Sequence, residues 1–378
     1  MRLVHLADPH LGYRAYNRVN PQGLNAREAD VFIAFRSALK KTVQLRPDIV
    51  LIAGDMFHVV RPSNLTIQHT FLELAKVTQQ IDAPIIIIGG NHDSPRSADT
   101  GCILDLFANL PGIRVVHSEY IQVKLENLDM SVFCLCHRAL PQVSSLKIEP
   151  DTTSKYNILL AHGTVEGVMK SAYDQAQLSR SQVISDDWDY IAFGHYHTFT
   201  KLADNAYYSG SLEYSSTNIW SEADVKKGFI EYNLDNRELI KFHEVETRDV
   251  IDIRKIDAEG LTAEELNTMI TNRIKGISGG HVNKIVRLVI ENLPRSVQSD
   301  MDFAFMRSIR AEALHFELQM RPPATRAADG SRHEPGTVRT LEDEWADFAK
   351  TYDIPGGVDR ERLTSLGRQY LGKLERTP

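Results

Sequence analysis

The sequence predicts a layered α/β fold, and two patterns carry that expectation. Short apolar runs alternate with stretches of helical period through the first half of the chain. Several of those runs, IVLIA at 49–53 and PIIII at 84–88 among them, are apolar without alternation, as strands covered on both faces are. A length of 378 residues calls for two or more domains, and 42% hydrophobic with 25% charged residues is ordinary globular composition with material for a core.

Residues 2–7 read as the first strand, and 27–45 as an amphipathic helix with Val31, Phe35, Ala38, Leu39 and Val43 on one face. Residues 49–53 are the next strand, and Ser63 can cap a helix reaching about residue 80. A strand at 84–88 and a short helix at 103–110 follow. Later strands are expected at 131–136, 158–161, 190–193, 206–209 and 228–233.

The composition changes near Arg248. Residues 250–320 give strand (250–256), helix (263–275), strand (284–290), helix (302–313) and strand (315–319), a small α+β unit. RPPATRAADGSRHEPGTVR, rich in Pro, Gly, Ala and Arg, is a linker by composition. Leu341, Trp345, Phe348 and Tyr352 then fall at helical spacing, and Leu363, Leu366, Tyr370, Leu371 and Leu374 make a second stripe beyond PGG at 355–357. Such a helix pair is too small to stand alone and needs a partner surface. The boundaries expected are 1–247, 248–320, a linker at 321–340, and 341–378.

Three cysteines, Cys102, Cys134 and Cys136, are too few for a disulfide framework and lack the second pair of a zinc site, so reduced structural thiols in a cytosolic protein are expected. MRLVHLADPH does not read as a signal peptide, and no apolar run approaches the roughly 20 residues that span a bilayer. The net charge of −7 argues against a surface coated with phosphate-binding groups, yet leaves room for a local basic groove.

Polar residues of metal-ligand type recur where these strands end. Asp8 and His10 follow the first strand; Asp55 follows the second, with His58 three residues on; Asn91, His92 and Asp93 follow the third. His162 follows ILLA, and His195 and His197 follow YIAFG. Sites in open α/β sheets form where loops leave the carboxyl ends of strands. Asp, His and Asn without cysteine favour manganese, iron or zinc in mixed nitrogen and oxygen coordination. Seven donors exceed one tetrahedral ion and suit two ions bridged by a carboxylate, a pair able to clamp a phosphate and acidify a water. A single histidine is more often structural, and His5, His69, His117, His137, His243, His281, His315 and His333 keep that reading.

ADPHLG, GDMFH, GGNHD, AHG and GHYH together resemble the five ordered motifs of the calcineurin-like metallophosphoesterases. HLGY, READVFIAF, GDMFHVVRPS and GNHDSPRS are similar to one branch, the SbcD-type DNA double-strand-break repair nucleases, which include the meiotic-recombination nuclease. The resemblance covers about residues 1–245; beyond them it is one of layout. It implies a β-sandwich flanked by helices, a small α+β cap and a C-terminal helix-loop-helix that docks on an SbcC-type coiled-coil ATPase. By the same resemblance, Asp8, His10 and His197 hold one divalent ion, Asn91, His162 and His195 the other, and Asp55 bridges them. Manganese comes first, with iron, magnesium or zinc as alternatives. His92 is then the catalytic histidine, Asp93 orients its imidazole or its loop, and His58 positions substrate and assists catalysis. Pro9 departs from the family pattern but removes no ligand.

The Ser/Thr phosphatase branch carries an Asp-Arg-Gly element after its second motif, and GDMFHVVRP has none. Arg14, Arg18, Arg61 and Arg96 lie in loops beside the first three motifs, where they could hold a nucleic-acid backbone; Tyr13 and Tyr16 line that groove or pack beneath it. Three functions are therefore expected in descending order: a DNA exo- or endonuclease of double-strand-break repair, a phosphodiesterase or phosphatase for small nucleotides or phosphoproteins, and a non-catalytic scaffold. The leading reading brings DNA and the ATPase as partners, a homodimer, no membrane, and a cytoplasmic, nucleoid-associated location.

Overall fold

The computed structural model describes residues 1–95, 97, 100–168, 178–323, 345, 346, 348, 349 and 359–374. The strands and helices of the first half are β1 (Arg2–Leu6), α1 (Ala26–Leu45), β2 (Ile49–Ile52), α2 (Asn64–Thr78), β3 (Ile85–Ile88), β4 (Ile113–Val116), β5 (Tyr120–Leu125) and β6 (Met130–Leu135). There follow β7 (Tyr156–His162), α3 (Arg180–Val183), β8 (Tyr190–Gly194), β9 (Thr200–Ala203), β10 (Ala206–Tyr208), β11 (Gly228–Asn233) and β12 (Glu238–Glu244). The remainder holds β13 (Val250–Asp257), α4 (Ala263–Lys275), β14 (Ile285–Glu291), α5 (Arg295–Ser299), α6 (Phe303–Glu312), β15 (His315–Met320) and α7 (Arg360–Leu374).

Two six-stranded sheets carry the fold, in the orders β12-β11-β1-β2-β3-β4 and β5-β6-β7-β8-β10-β9; a three-stranded sheet runs β13-β14-β15. In the first sheet β1 to β4 are mutually parallel, and β11 runs antiparallel to both of its neighbours, β1 and β12. In the second, β6, β7, β8 and β10 are parallel, with antiparallel β5 and β9 at the edges.

Strand periodicity sorts the apolar side chains into two layers. Leu3, Ile49, Leu51, Ile86 and Ile88 meet Val132, Cys134, Ile158, Leu160 and Ala192 of the second sheet in one core. Val4, Leu6, Val50, Ile52, Ile85 and Ile87 face the other way, onto Val31, Phe35 and Ala38 of α1 and Leu74 and Val77 of α2. The isoleucines of β3 therefore have no solvent face, and burying each stabilises by about 2 kcal/mol. Both helices start where a side-chain oxygen satisfies free N–H groups: Asn25 accepts from Arg27 and Glu28, and Ser63 accepts from Thr66.

The chain divides into two compact units: Met1–Arg254 with Ile270–Leu288 and Asp302–Gln319, and Lys255–Met269 with Val289–Met301 and Met320–Pro378. The first holds both large sheets. In the second, Thr262 and Glu265 form a reciprocal capping box at the start of α4, and the Trp345 indole donates to the Thr364 carbonyl at 3.1 Å. Phe348, Leu366 and Tyr370 are exposed there. Leu341, Tyr352 and most of the expected linker lie outside the described residues.

Candidate metal centre

Because β1, β2 and β3 are parallel within one sheet, and β7 and β8 within the other, their following residues gather at carboxyl ends. The sandwich narrows there. An added Cβ on Gly194 would lie 1.7 Å from the Ala53 carbonyl oxygen, so only glycine lets β8 come this close to the end of β2. Gly90 has a similar duty: its Cβ would fall 2.1 Å from Asp55 Oδ1, so its bare backbone leaves room for that carboxylate.

Seven of the expected ligands are brought together. His10 Nε2 lies 3.0 Å from His197 Nε2, and Asn91 Oδ1 lies 3.0 Å from both His162 Nε2 and His195 Nδ1. Asp55 Oδ2 sits between the groups, 3.7 Å from His10 Nε2 and 3.4 Å from His162 Nε2. Asp8 accepts the His195 N–H at 2.9 and 3.0 Å. Donor atoms of Asp8, His10 and His197 lie within 4.8 Å of one another, as do those of Asp55, His162 and His195 and those of His10, His58 and His92. The backbone is strained at four of these positions, with φ of 50° at Asp8, 48° at His10, 49° at Asp55 and 99° at His195. Pro9 stands between two of them.

The donor chemistry fits a cation. His162 donates Nδ1–H to the Ala53 carbonyl at 2.8 Å, so its Nε2 points at Asn91 Oδ1 and Asp55 Oδ2, a cluster of lone pairs that either a cation or a proton on Nε2 has to bridge. His197 Nδ1 is buried without a hydrogen-bond partner among the described residues. Burial opposes charge on His162, yet the Asp55 and Asp8 carboxylates outweigh it and raise the imidazole to about 9, a proton standing where positive charge is wanted. Burial pushes Asp8 up to about 8; at Asp55 it is overcome by His162 and His10, and the carboxyl is held well below its usual range. Burial lowers His10 to about 3 and His195 to about 4, so both rings are neutral and ligand-competent at neutral pH.

Three further residues border this cluster. His92 Nδ1 donates to the His58 carbonyl at 2.7 Å, and its backbone N–H donates to Asp55 Oδ1 at 2.8 Å. The His58 ring stacks on His92 with centroids 5.1 Å apart, and its Nδ1 is 3.4 Å from His10 Nδ1. Asp93 accepts from the backbone of Met56, Phe57 and Gly90, tying the loop after β3 to the loop after β2. The ring of His92 is thus held by His58, and its loop by Asp93. Burial raises Asp93 to about 7.

The expected substrate contacts are more dispersed. Arg14 is exposed and pairs with Glu28 at 2.7 Å, Arg61 is exposed, and Tyr13 packs edge-on against His58 at 4.9 Å. Arg18 donates to the carbonyls of Arg310, Ala311 and Ala313 at the end of α6, and Tyr16 stacks on His315 at 3.9 Å. Arg96 lies outside the described residues. His137, expected among the structural histidines, has its ring centroid 6.2 Å from that of His162. It follows the strand CLC of β6, so the strand-end rule that flagged the others also points to it.

The calcineurin-like phosphoesterase family model matches residues 1–199. The chain belongs to that family. Among curated relatives, it is 28% identical over 300 residues to the DNA double-strand break repair protein Mre11 of Methanococcus maripaludis, covering 73% of this chain and 76% of that one. It is 26% identical over 275 residues to the protein of the same name from Methanocaldococcus jannaschii, covering 71% and 69%. To a subunit of the nuclease SbcCD from Staphylococcus epidermidis it is 27% identical over 274 residues, covering 64% and 68%. As a member of this family the chain is a metal-dependent phosphoesterase. No helix among the described residues is long and apolar enough to cross a membrane.

Proposed function

We propose that this phosphoesterase is a two-metal DNA nuclease of double-strand-break repair. The observation that carries the reading is the place of Asp55, whose Oδ2 reaches His10 on one side and His162 on the other. Asp8, His10 and His197 would hold one divalent ion, Asn91, His162 and His195 the second, and Asp55 both. Manganese suits this oxygen and nitrogen set, with iron, magnesium and zinc as the alternatives. Two such ions supply Lewis acidity toward a phosphoester and acidify a water.

The chain's own residues do the rest. His92, its Nδ1 pinned to the His58 carbonyl, holds or gives a proton at Nε2. His58 stacks on it and keeps that ring in place, and Asp93 keeps the loop. The exposed Arg14 and Arg61, with Tyr13, can meet a phosphate backbone without reading sequence. Arg18 serves less well in that role, since its guanidinium is engaged at the end of α6.

Partners follow from the relatives' names and from apolar surface. The exposed Phe348, Leu366 and Tyr370 support docking of the C-terminal segment on a coiled-coil ATPase of SbcC type. A groove of about 300 Å³ lined by Ile67, Phe71, Leu72 and Leu106 supports a homodimer. A nuclease domain at 1–247, a cap at 248–320 and a docking segment at 341–378 would divide this work.

The test is incubation of pure protein with end-labelled duplex and single-stranded DNA, with manganese, magnesium or chelator. Cleavage that chelator abolishes is expected; activity confined to small chromogenic phosphoesters would favour the small-nucleotide or phosphoprotein reading instead.

A further inference from the structure

Lys227 lies immediately before β11, and its side chain is 0% exposed. A lysine this deep needs partners for its charge and for its three donors. Glu222 answers the charge, with Oε2 2.6 Å from Nζ. The other two donors go elsewhere: one to the Ser211 hydroxyl at 3.0 Å, one to the backbone carbonyl of His197 at 2.8 Å. The Tyr214 ring lies 5.0 Å from the same ammonium. Charge neutralisation alone accounts for Glu222 and leaves the contact to His197 unexplained.

The His197 ring is what makes that contact informative. A metal-bound imidazole is ordinarily aimed by a hydrogen bond from its second ring nitrogen, as His162 is by Ala53. His197 has no such bond: Nδ1 is buried without a partner among the described residues, while Nε2 faces His10. Its orientation has to come from its own backbone. That backbone is clamped, the carbonyl accepting from Lys227 Nζ and from the Ser211 N–H at 3.2 Å.

We infer that Lys227 is the positioning residue for His197, its buried ammonium and Ser211 together fixing the imidazole in the Asp8–His10–His197 ligand group. The inference rests on the two-ion reading proposed above. It assigns Lys227 to one ion and not the other, because His162, His195 and Asn91 receive none of its three hydrogen bonds.

The test is a manganese titration, read by the paramagnetic resonance of the free ion and by calorimetry, on the wild type, Glu222→Gln, Glu222→Gln/Lys227→Met and Ser211→Ala. The double variant removes both charges and keeps the side-chain volumes. Wild type and Glu222→Gln are expected to bind two ions. The double variant should keep one ion at wild-type affinity and bind the other about 10- to 100-fold more weakly. Ser211→Ala should weaken the same ion by a smaller factor. A folded double variant that binds both ions as Glu222→Gln does, or loses both equally, overturns the inference. Where circular dichroism shows the double variant unfolded, Ser211→Ala decides: unaltered affinity for both ions overturns it. Fewer than two ions on the wild type would instead overturn the two-ion reading itself.

Discussion

His92 touches both the candidate metal centre and the loop that follows β2, yet it belongs to neither ligand group. Its backbone steadies Asp55 and its ring is fixed by His58, so on the proposed function its imidazole would act while other residues would hold the ions. His92→Ala is therefore expected to leave manganese affinity nearly intact and to cut turnover by about 10²- to 10⁴-fold; equal losses in both would contradict the assignment. Away from the site, His5 is buried, shares a 2.9 Å hydrogen bond with the Tyr190 hydroxyl, and is lowered by burial to about 3 from its ordinary 6.5. The unfolded chain then binds a proton below 6.5 that the folded chain refuses until about 3. Stability due to the neutral ring is fully present above 6.5 and is lost as pH falls through that window, at about 1.4 kcal/mol per pH unit. His5→Gln should flatten the acid limb of a stability-against-pH profile; an unchanged slope would sink the prediction. Residue types and their order were legible in the sequence, since polar donors after apolar runs stand out. The positive φ values at Asp8, His10, Asp55 and His195 were not, because none of the four is glycine, and Asp and His, though enriched in that region, adopt it at only a small share of their positions.

At the scale of elements, the central strands were legible and the edges were not. Residues 85–88, 158–161 and 190–193 are apolar throughout because both faces are covered. The four strands that went unforeseen, β4, β5, β9 and β12, are the four edges of the two large sheets. Each carries exposed positions, as in β5, where Tyr120, Ile121 and Gln122 face solvent while Val123 is buried. A half-solvated strand needs no apolar run, so it leaves little trace in one sequence. Where elements meet, Gly194 sets the spacing of the two sheets at the site. Gly194→Ala should destabilise by about 3 kcal/mol, since the Ala53 carbonyl is backbone and cannot swing aside. Chemical denaturation measures this, and a variant as stable as wild type would show that the sheets tolerate a wider gap.

For the whole molecule, the same logic of covered and uncovered apolar surface separates the parts. The central strands of the sandwich bury their isoleucines and valines, whereas Leu366 and Tyr370 of the last helix, and Phe348 before it, are exposed. Removing residues 341–378 should abolish a co-purifying complex with the coiled-coil ATPase while leaving manganese-dependent cleavage of DNA by the remaining chain; a complex that survives the deletion would place docking elsewhere. The proposed pair of ions joined through Asp55 underlies every role assigned above. It is tested most directly by counting manganese bound per chain in wild type and in Asp55→Asn. Two ions on the wild type, with affinity for both reduced in Asp55→Asn, is the predicted result. A single ion on the wild type, or a variant in which both ions bind undiminished, would contradict it.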